Sequence, residues 1–216
     1  MSRPLVVTDC DEVLLHMVRH FCAWLSEAHG IEMVLDGDPF AQTLTHPGGT
    51  EPLSPEDKWR YLDLFFDTEM DRQTAIEGAA PAVVELQRAA DVVVLTNLAD
   101  RYNAVRSRQL AAHGISARVF TNQGPKGPAL QRIVAEYSPD RVVFVDDLLH
   151  HHASAAESIP HIARLHFCGE PAIAPHIPCA REAGHATRGS TAGPRPCRGS
   201  SKHCTENADE HPLAPR

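Results

Sequence analysis

Three short runs of apolar, mostly β-branched residues stand out along the chain: Leu5–Thr8 (LVVT), Val92–Leu95 (VVVL) and Val142–Val145 (VVFV). Continuous apolar runs of this length suit strands of a parallel sheet covered on both faces. Ala117–Phe120 and Ile162–Phe167 are weaker strand candidates. Between the runs the pattern turns helical. Pro81 opens one helix with Val83, Val84 and Leu86 as its apolar side, proline being favoured in a first turn. Asp100 caps a second helix running to about His113, which Gly114 ends. Gly127-Pro128 opens a third, with Leu130, Ile133 and Val134 at helical spacing. Strand alternating with helix predicts an α/β fold, a doubly wound parallel sheet with right-handed crossovers.

One interval breaks the alternation. Roughly 80 residues separate the first strand from the second, far more than a crossover needs. Within it Leu14, Met17, Val18, Phe21, Cys22, Leu25 and Ala28 mark an amphipathic helix. Ser54-Pro55-Glu56-Asp57 then reads as a helix start, followed by Trp59, Leu62, Phe65 and Phe66 at helical spacing. Residues 16–77 are therefore expected to form a small helical cap inserted after the first strand, over a core made of 1–15 and 78–174. From about Pro175 the chain is rich in Pro, Gly, Ser, His and Arg and has no hydrophobic period. This tail carries six basic residues against four acidic ones, opposite in sign to the net -8 of the whole chain. Disorder is its expected state, and a translated frameshift would leave the same abrupt change.

The acidic charge disfavours a broad nucleic-acid surface. A small anionic substrate is still compatible, because a metal ion and one lysine reverse the field locally. The N-terminus lacks a secretory pattern and no stretch approaches a membrane span. Six cysteines without a CxxC pair suggest free thiols in a reducing cytoplasm. Oligomeric state has no signature here.

Candidate chemistry collects at the predicted carboxyl ends of the strands, where doubly wound sheets bind ligands. Asp9 and Asp11 follow the first strand; on such a turn one carboxylate can attack while the other handles a proton. Thr96 and Asn97 follow the second strong run, where a hydroxyl and backbone N–H groups can hold phosphate oxygens. Asp146 and Asp147 end the third; adjacent like charges beside a buried strand call for compensation, such as a hard dication held by oxygen ligands. Lys126 precedes a helix and can balance the aspartates. Singly, each feature is also what a solvated loop or a helix cap would show.

Together, in the order acid pair, hydroxyl, lysine, acid pair, they resemble the four motifs of the haloacid dehalogenase-like hydrolase superfamily. The resemblance covers about residues 4–170 and includes the stretch from Ile76 to Asn97. It implies a phosphomonoesterase with a C1-type cap, acting on a small phosphorylated substrate with magnesium. Asp9 would form an aspartyl-phosphate. Asp11 would protonate the leaving group, then activate water, its backbone carbonyl ligating the metal. Thr96, Asn97 and Lys126 would hold the phosphate, and Asp147, with Asp146 beside it, would ligate the metal along with Asp9. A phosphomutase or phosphotransferase would share the intermediate. A receiver-like signalling domain would share the sheet, but the large insertion and Asp11 argue against it; Asp11 also argues against a dehalogenase. Glu12 stands where many such phosphatases have glycine, so the turn is expected to differ.

Other features have plainer readings. His16 and His20 lie four apart, yet no third metal ligand suggests itself. His150, His151 and His152 are expected on the solvent-facing start of a helix. Cys10 lies between the two acids, and alternation should turn it from the phosphate. Trp59, Phe65 and Phe66 are expected in the cap core.

Overall fold

The computed structural model describes residues 2–33, 44–45, 48–49 and 52–188, with side chains through residue 184. Residues 189–216 of the expected tail lie outside the described residues. In chain order the elements are β1 (Leu5–Thr8), α1 (Val18–His29), β2 (Glu32–Met33), β3 (Leu44–Thr45), α2 (Pro55–Thr68), α3 (Ala79–Gln87), β4 (Asp91–Thr96), α4 (Asn103–Ala112), β5 (Arg118–Thr121), α5 (Gly127–Tyr137), β6 (Val142–Asp146), α6 (Leu149–Ser158), β7 (Ala163–Cys168) and β8 (His185–Arg188).

Six strands form one sheet in the order β5-β4-β1-β6-β7-β8, and each neighbouring pair is parallel. The three strongest apolar runs are its centre, with Val7 paired to Val93 on one side and Phe144 on the other. Their side chains alternate between two packed faces. Leu5, Val7, Val93 and Leu95 meet Leu130 and Ile133 of α5 and Ala155 of α6. Val6, Val92 and Val94 meet Val83 of α3 and Leu110 of α4. Burial on both faces is why these strands read as unbroken apolar runs.

From β1 the chain winds to β4 and β5 on one side, then returns to β6 and β7 on the other. The direction reverses at the carboxyl ends of β1, β4 and β6, which opens a crevice there. Gly127 lets α5 pass close to α6: a Cβ on it would collide with the Ser154 carbonyl oxygen and the Ser158 hydroxyl.

The long interval after β1 folds as α1 and α2 with the short β2–β3 pair. Ser54 caps α2, its hydroxyl accepting from the Asp57 N–H, and Pro55 occupies the first turn. Phe21, Trp24, Leu25, Phe65 and Phe66 form a third cluster. Leu98, Tyr102, Cys168, Ile173, Ala174 and Ile177 complete it. The helical insertion thus shares its core with segments from the far end of the chain.

Four expectations change. In α3, Ala79 and Val83, four apart, face the sheet, whereas Val84 and Leu86 are exposed; one helical stripe cannot hold adjacent positions equally. In α2, Phe65 and Phe66 are buried but Trp59 is 63% exposed. Order continues past Pro175: Ile177, Ala180 and Ala183 are buried and β8 pairs beside β7, because small apolar residues suffice to seat a chain that borrows an existing sheet edge. Cys10, Cys22 and Cys168 are free thiols, but Cys179 is disulfide-bonded, a pairing that local cysteine spacing did not signal. Among the described residues no helix is long and apolar enough to cross a membrane.

Candidate active site

Three of the carboxylates singled out in the sequence converge. Asp9 follows β1, Asp146 ends β6 and Asp147 comes next; one oxygen from each lies within 4.8 Å of the others. The parallel register of β1 and β6 brings them together, the Asp9 N–H donating to the Val145 carbonyl at 2.8 Å. All three are buried. Lys126, at the start of α5 and fully buried, lies between them, its Nζ 2.7 Å from Asp9 Oδ1 and 2.7 Å from Asp146 Oδ2.

Electrostatics divides the trio. Burial raises the Asp9 carboxyl to about 7; Lys126 opposes the rise and Asp146 adds to it. Burial also works on Asp146, but Lys126 and the Leu148 N–H outweigh it and hold this carboxyl below the ordinary range. Asp147 is pushed well up by burial, then by the charges of Asp146, Asp9 and Glu12. A proton taken up here therefore goes to Asp9 or Asp147. Lys126 stays charged despite burial, because Asp146 and Asp9 hold it above its usual value.

With all three carboxyls ionised, the trio and the Lys126 ammonium leave two negative charges, which one divalent cation would balance. The donors are all oxygen, which suits a hard ion. Both Asp146 oxygens are engaged, by Lys126 and by the Leu148 N–H at 2.9 Å. No described donor faces the Asp147 carboxylate. At Asp9, Oδ1 accepts from the Cys10 N–H and meets Lys126, leaving Oδ2 without a hydrogen bond among the described residues. Cys10 itself is fully buried in the cluster with Val6, Val94 and Leu110.

Asp11 stands apart from the trio, in the grip of a residue the sequence did not single out. Arg106 of α4, fully buried, donates from one terminal nitrogen to Asp11 Oδ1 and Oδ2, both at 3.0 Å. Gln73 Nε2 donates to Oδ1 at 2.8 Å. Arg106 also donates to Gln73 and Gln109, so α4 and the strand-like return at 73–75 jointly fix the carboxylate. Arg106 looks like any polar position of an amphipathic helix, so only its inward face betrays it.

Glu12, at the expected glycine position, adopts the left-handed conformation, with φ of 60°. Its Oε1 accepts from the N–H groups of Met17 and Val18 at 2.9 and 2.6 Å, capping α1. Burial raises its carboxyl to about 8. His16 meets Glu170 at 2.8 Å, and Arg19 forks onto the same carboxylate. Glu12, His16 and Glu170 lie close enough to hold a metal, but Arg19 already supplies the positive charge. His20 contacts Thr74 instead, so the two histidines do not share a site.

Thr96, at the end of β4, is buried with its hydroxyl unpaired. Asn97 turns its amide to the Gly124 carbonyl and the His151 ring. His151 and His152 are buried, against the expectation of a solvent face. α6 packs on β6 and β7, where His152 contacts the Asp146 carbonyl and the Phe144 ring. Burial lowers His151 to about 3, so it is neutral.

A pocket of about 170 Å³ opens over these groups, lined by Asp9, Asp11, Thr96, Asn97, Lys126 and Asp147 below and by α2 above. Sequence comparison finds no matching family model and no matching curated protein. Solved structures do match. A putative haloacid dehalogenase-like hydrolase from Burkholderia xenovorans is 16% identical with a TM-score of 0.54, covering 83% of this chain and 91% of its own. A haloacid dehalogenase-like family hydrolase from Streptococcus pneumoniae is 11% identical at TM-score 0.54, over 81% and 90%. A hydrolase of the same superfamily, subfamily IA, from Geobacter sulfurreducens is 14% identical at 0.52, over 76% and 87%. The chain has the fold of the haloacid dehalogenase-like superfamily.

Proposed function

We propose that the protein is a magnesium-dependent phosphomonoesterase with Asp9 as covalent nucleophile. One observation carries this reading: a buried lysine bridges two of three converging carboxylates, beside an unpaired buried hydroxyl, in one pocket. The excess negative charge suits a divalent cation, while Lys126 and Thr96 suit phosphate oxygens.

Asp9 Oδ2 attacks phosphorus, since Oδ1 is held by Lys126 and the Cys10 N–H. The ester P–O bond breaks and the leaving oxygen takes a proton from Asp11. Among the described residues Asp11 Oδ2 accepts from Arg106 alone and keeps a lone pair for that proton. Asp11 then takes a proton from water, whose oxygen attacks the phosphorus of the aspartyl-phosphate. Inorganic phosphate leaves and the Asp9 carboxylate is restored. Lys126 and the Thr96 hydroxyl neutralise and orient the phosphoryl oxygens. Asp9, Asp147 and the Asp11 carbonyl would hold magnesium, with Asp146 fixing Lys126 beside them. Bound there, the ion would offset the repulsion between Asp9 and the phosphate dianion.

The test is hydrolysis of p-nitrophenyl phosphate with magnesium or with chelator, by the wild type and Asp9→Asn. Turnover that needs magnesium and is lost in Asp9→Asn is expected. Turnover surviving in a purified Asp9→Asn protein would sink the mechanism.

A further inference from the structure

We propose that the substrate's leaving group is a small aromatic or otherwise apolar alcohol, seated against Trp59 at the mouth of the pocket. This rests on the phosphomonoesterase reading and adds which ester the site selects.

The pocket divides by chemistry. Its floor holds the carboxylates and Lys126. Its upper wall is apolar: Met17 at the start of α1, and Trp59, Leu62 and Phe66 on α2, with Leu148 opposite. Met17 and Phe66 are already buried in the helical cluster, whereas Trp59 is 63% exposed. Residues 59, 62 and 66 follow one helical stripe, so the three side chains share the face that looks into the pocket. A tryptophan left in solvent on that face lacks the apolar contact that a second ring would supply.

The same wall disfavours sugars and polyols. Met17, Trp59, Leu62, Phe66 and Leu148 carry one side-chain hydrogen-bond donor among them, the Trp59 indole N–H, and no charge; the pocket's other donors, among them Asn97, His150 and His151, lie off this face. Hydroxyls brought against it would lose water without gaining partners. Size points the same way. The pocket's 170 Å³ compares with about 150 Å³ for an apolar cavity that holds one benzene. It falls below the roughly 300 Å³ at which sites for larger ligands begin. A phosphoryl group with the first atoms of its ester fills the enclosed part, and the remainder emerges along Trp59.

The experiment compares two esters of similar leaving-group chemistry, 2-phenylethyl phosphate and glycerol phosphate, with the wild type, Trp59→Ala and Trp59→Phe. The wild type is expected to prefer the phenylethyl ester in kcat/KM. Trp59→Ala lowers that preference about tenfold, the equivalent of about 1.4 kcal/mol, through KM, and Trp59→Phe restores most of it. A wild-type preference for glycerol phosphate overturns the proposal, as does a Trp59→Ala protein that slows both esters equally. If neither ester is hydrolysed, or Asp9→Asn still turns them over, the phosphatase reading fails and binding decides the apolar site. Benzylphosphonate then quenches tryptophan fluorescence in the wild type but not in Trp59→Phe, where only the buried Trp24 remains. Absence of quenching, or equal quenching by 2,3-dihydroxypropylphosphonate, overturns the proposal.

Discussion

At the scale of single residues, the acid that would handle the proton depends on a neighbour 95 residues away. Arg106 is buried without exposure and Asp11 is its one carboxylate among the described residues. Lysine keeps the charge but cannot reproduce the guanidinium geometry. Arg106→Lys is expected to lower kcat for an alkyl phosphate about 10- to 100-fold, a fraction of what general acid catalysis supplies. The loss should be much smaller for p-nitrophenyl phosphate, whose leaving group departs without a proton. Equal losses on both substrates would mean that Arg106 only supports the fold. Asp11→Ala should also cost about 3 kcal/mol of stability, read from denaturant unfolding, because it strands a buried guanidinium.

At the scale of elements, the chain places Asp9, Thr96 and Asp146 by ending a strand at or just before each. Leu5–Thr8 stops before Asp9, β4 ends at Thr96 and β6 at Asp146. These ends were legible because apolar runs give way abruptly to polar residues. Helix faces were less legible: α3 and α6 carry their buried residues where the sheet lies, and Val84, Leu86, His151 and His152 are sorted by that contact rather than by hydrophobicity. The α5–α6 approach is one such contact with a direct test. Gly127→Ala puts a methyl against the Ser154 carbonyl, and backbone there cannot swing aside. A loss of about 1–3 kcal/mol is expected, visible as a lower thermal midpoint. An unchanged midpoint would show that the helices separate freely.

At the scale of the whole molecule, the buried acids link stability to pH. Asp9 rises from 3.8 to about 7 and Glu12 from 4.5 to about 8. A carboxyl whose pKa is raised by folding binds its proton more tightly in the folded state. Stability is therefore fullest below the unfolded pKa and falls as pH climbs through the folded one. In chelator the thermal midpoint should drop between about pH 4 and 8. Glu12→Gln should remove part of the slope, since it cannot ionise. Magnesium should flatten it further by binding the folded state alone. A midpoint that rises with pH across this window would contradict the raised carboxyls, and one that ignores magnesium would contradict the assignment of Asp9 to a cation site.

The sequence by itself determined the parallel α/β sheet, the order of its motifs and the identity of the acids at its strand ends. Those features are written in local runs, and a parallel sheet puts the ends of neighbouring strands side by side whatever the loops do. Only the tertiary structure decided that Arg106 and Gln73 hold Asp11, that Glu12 caps α1, that Glu170 meets His16 and Arg19, and that Trp59 is left facing the pocket. Each of these depends on which side of a helix meets which distant segment. Such contacts reach as far along the chain as His16 to Glu170 and leave no periodic trace in it.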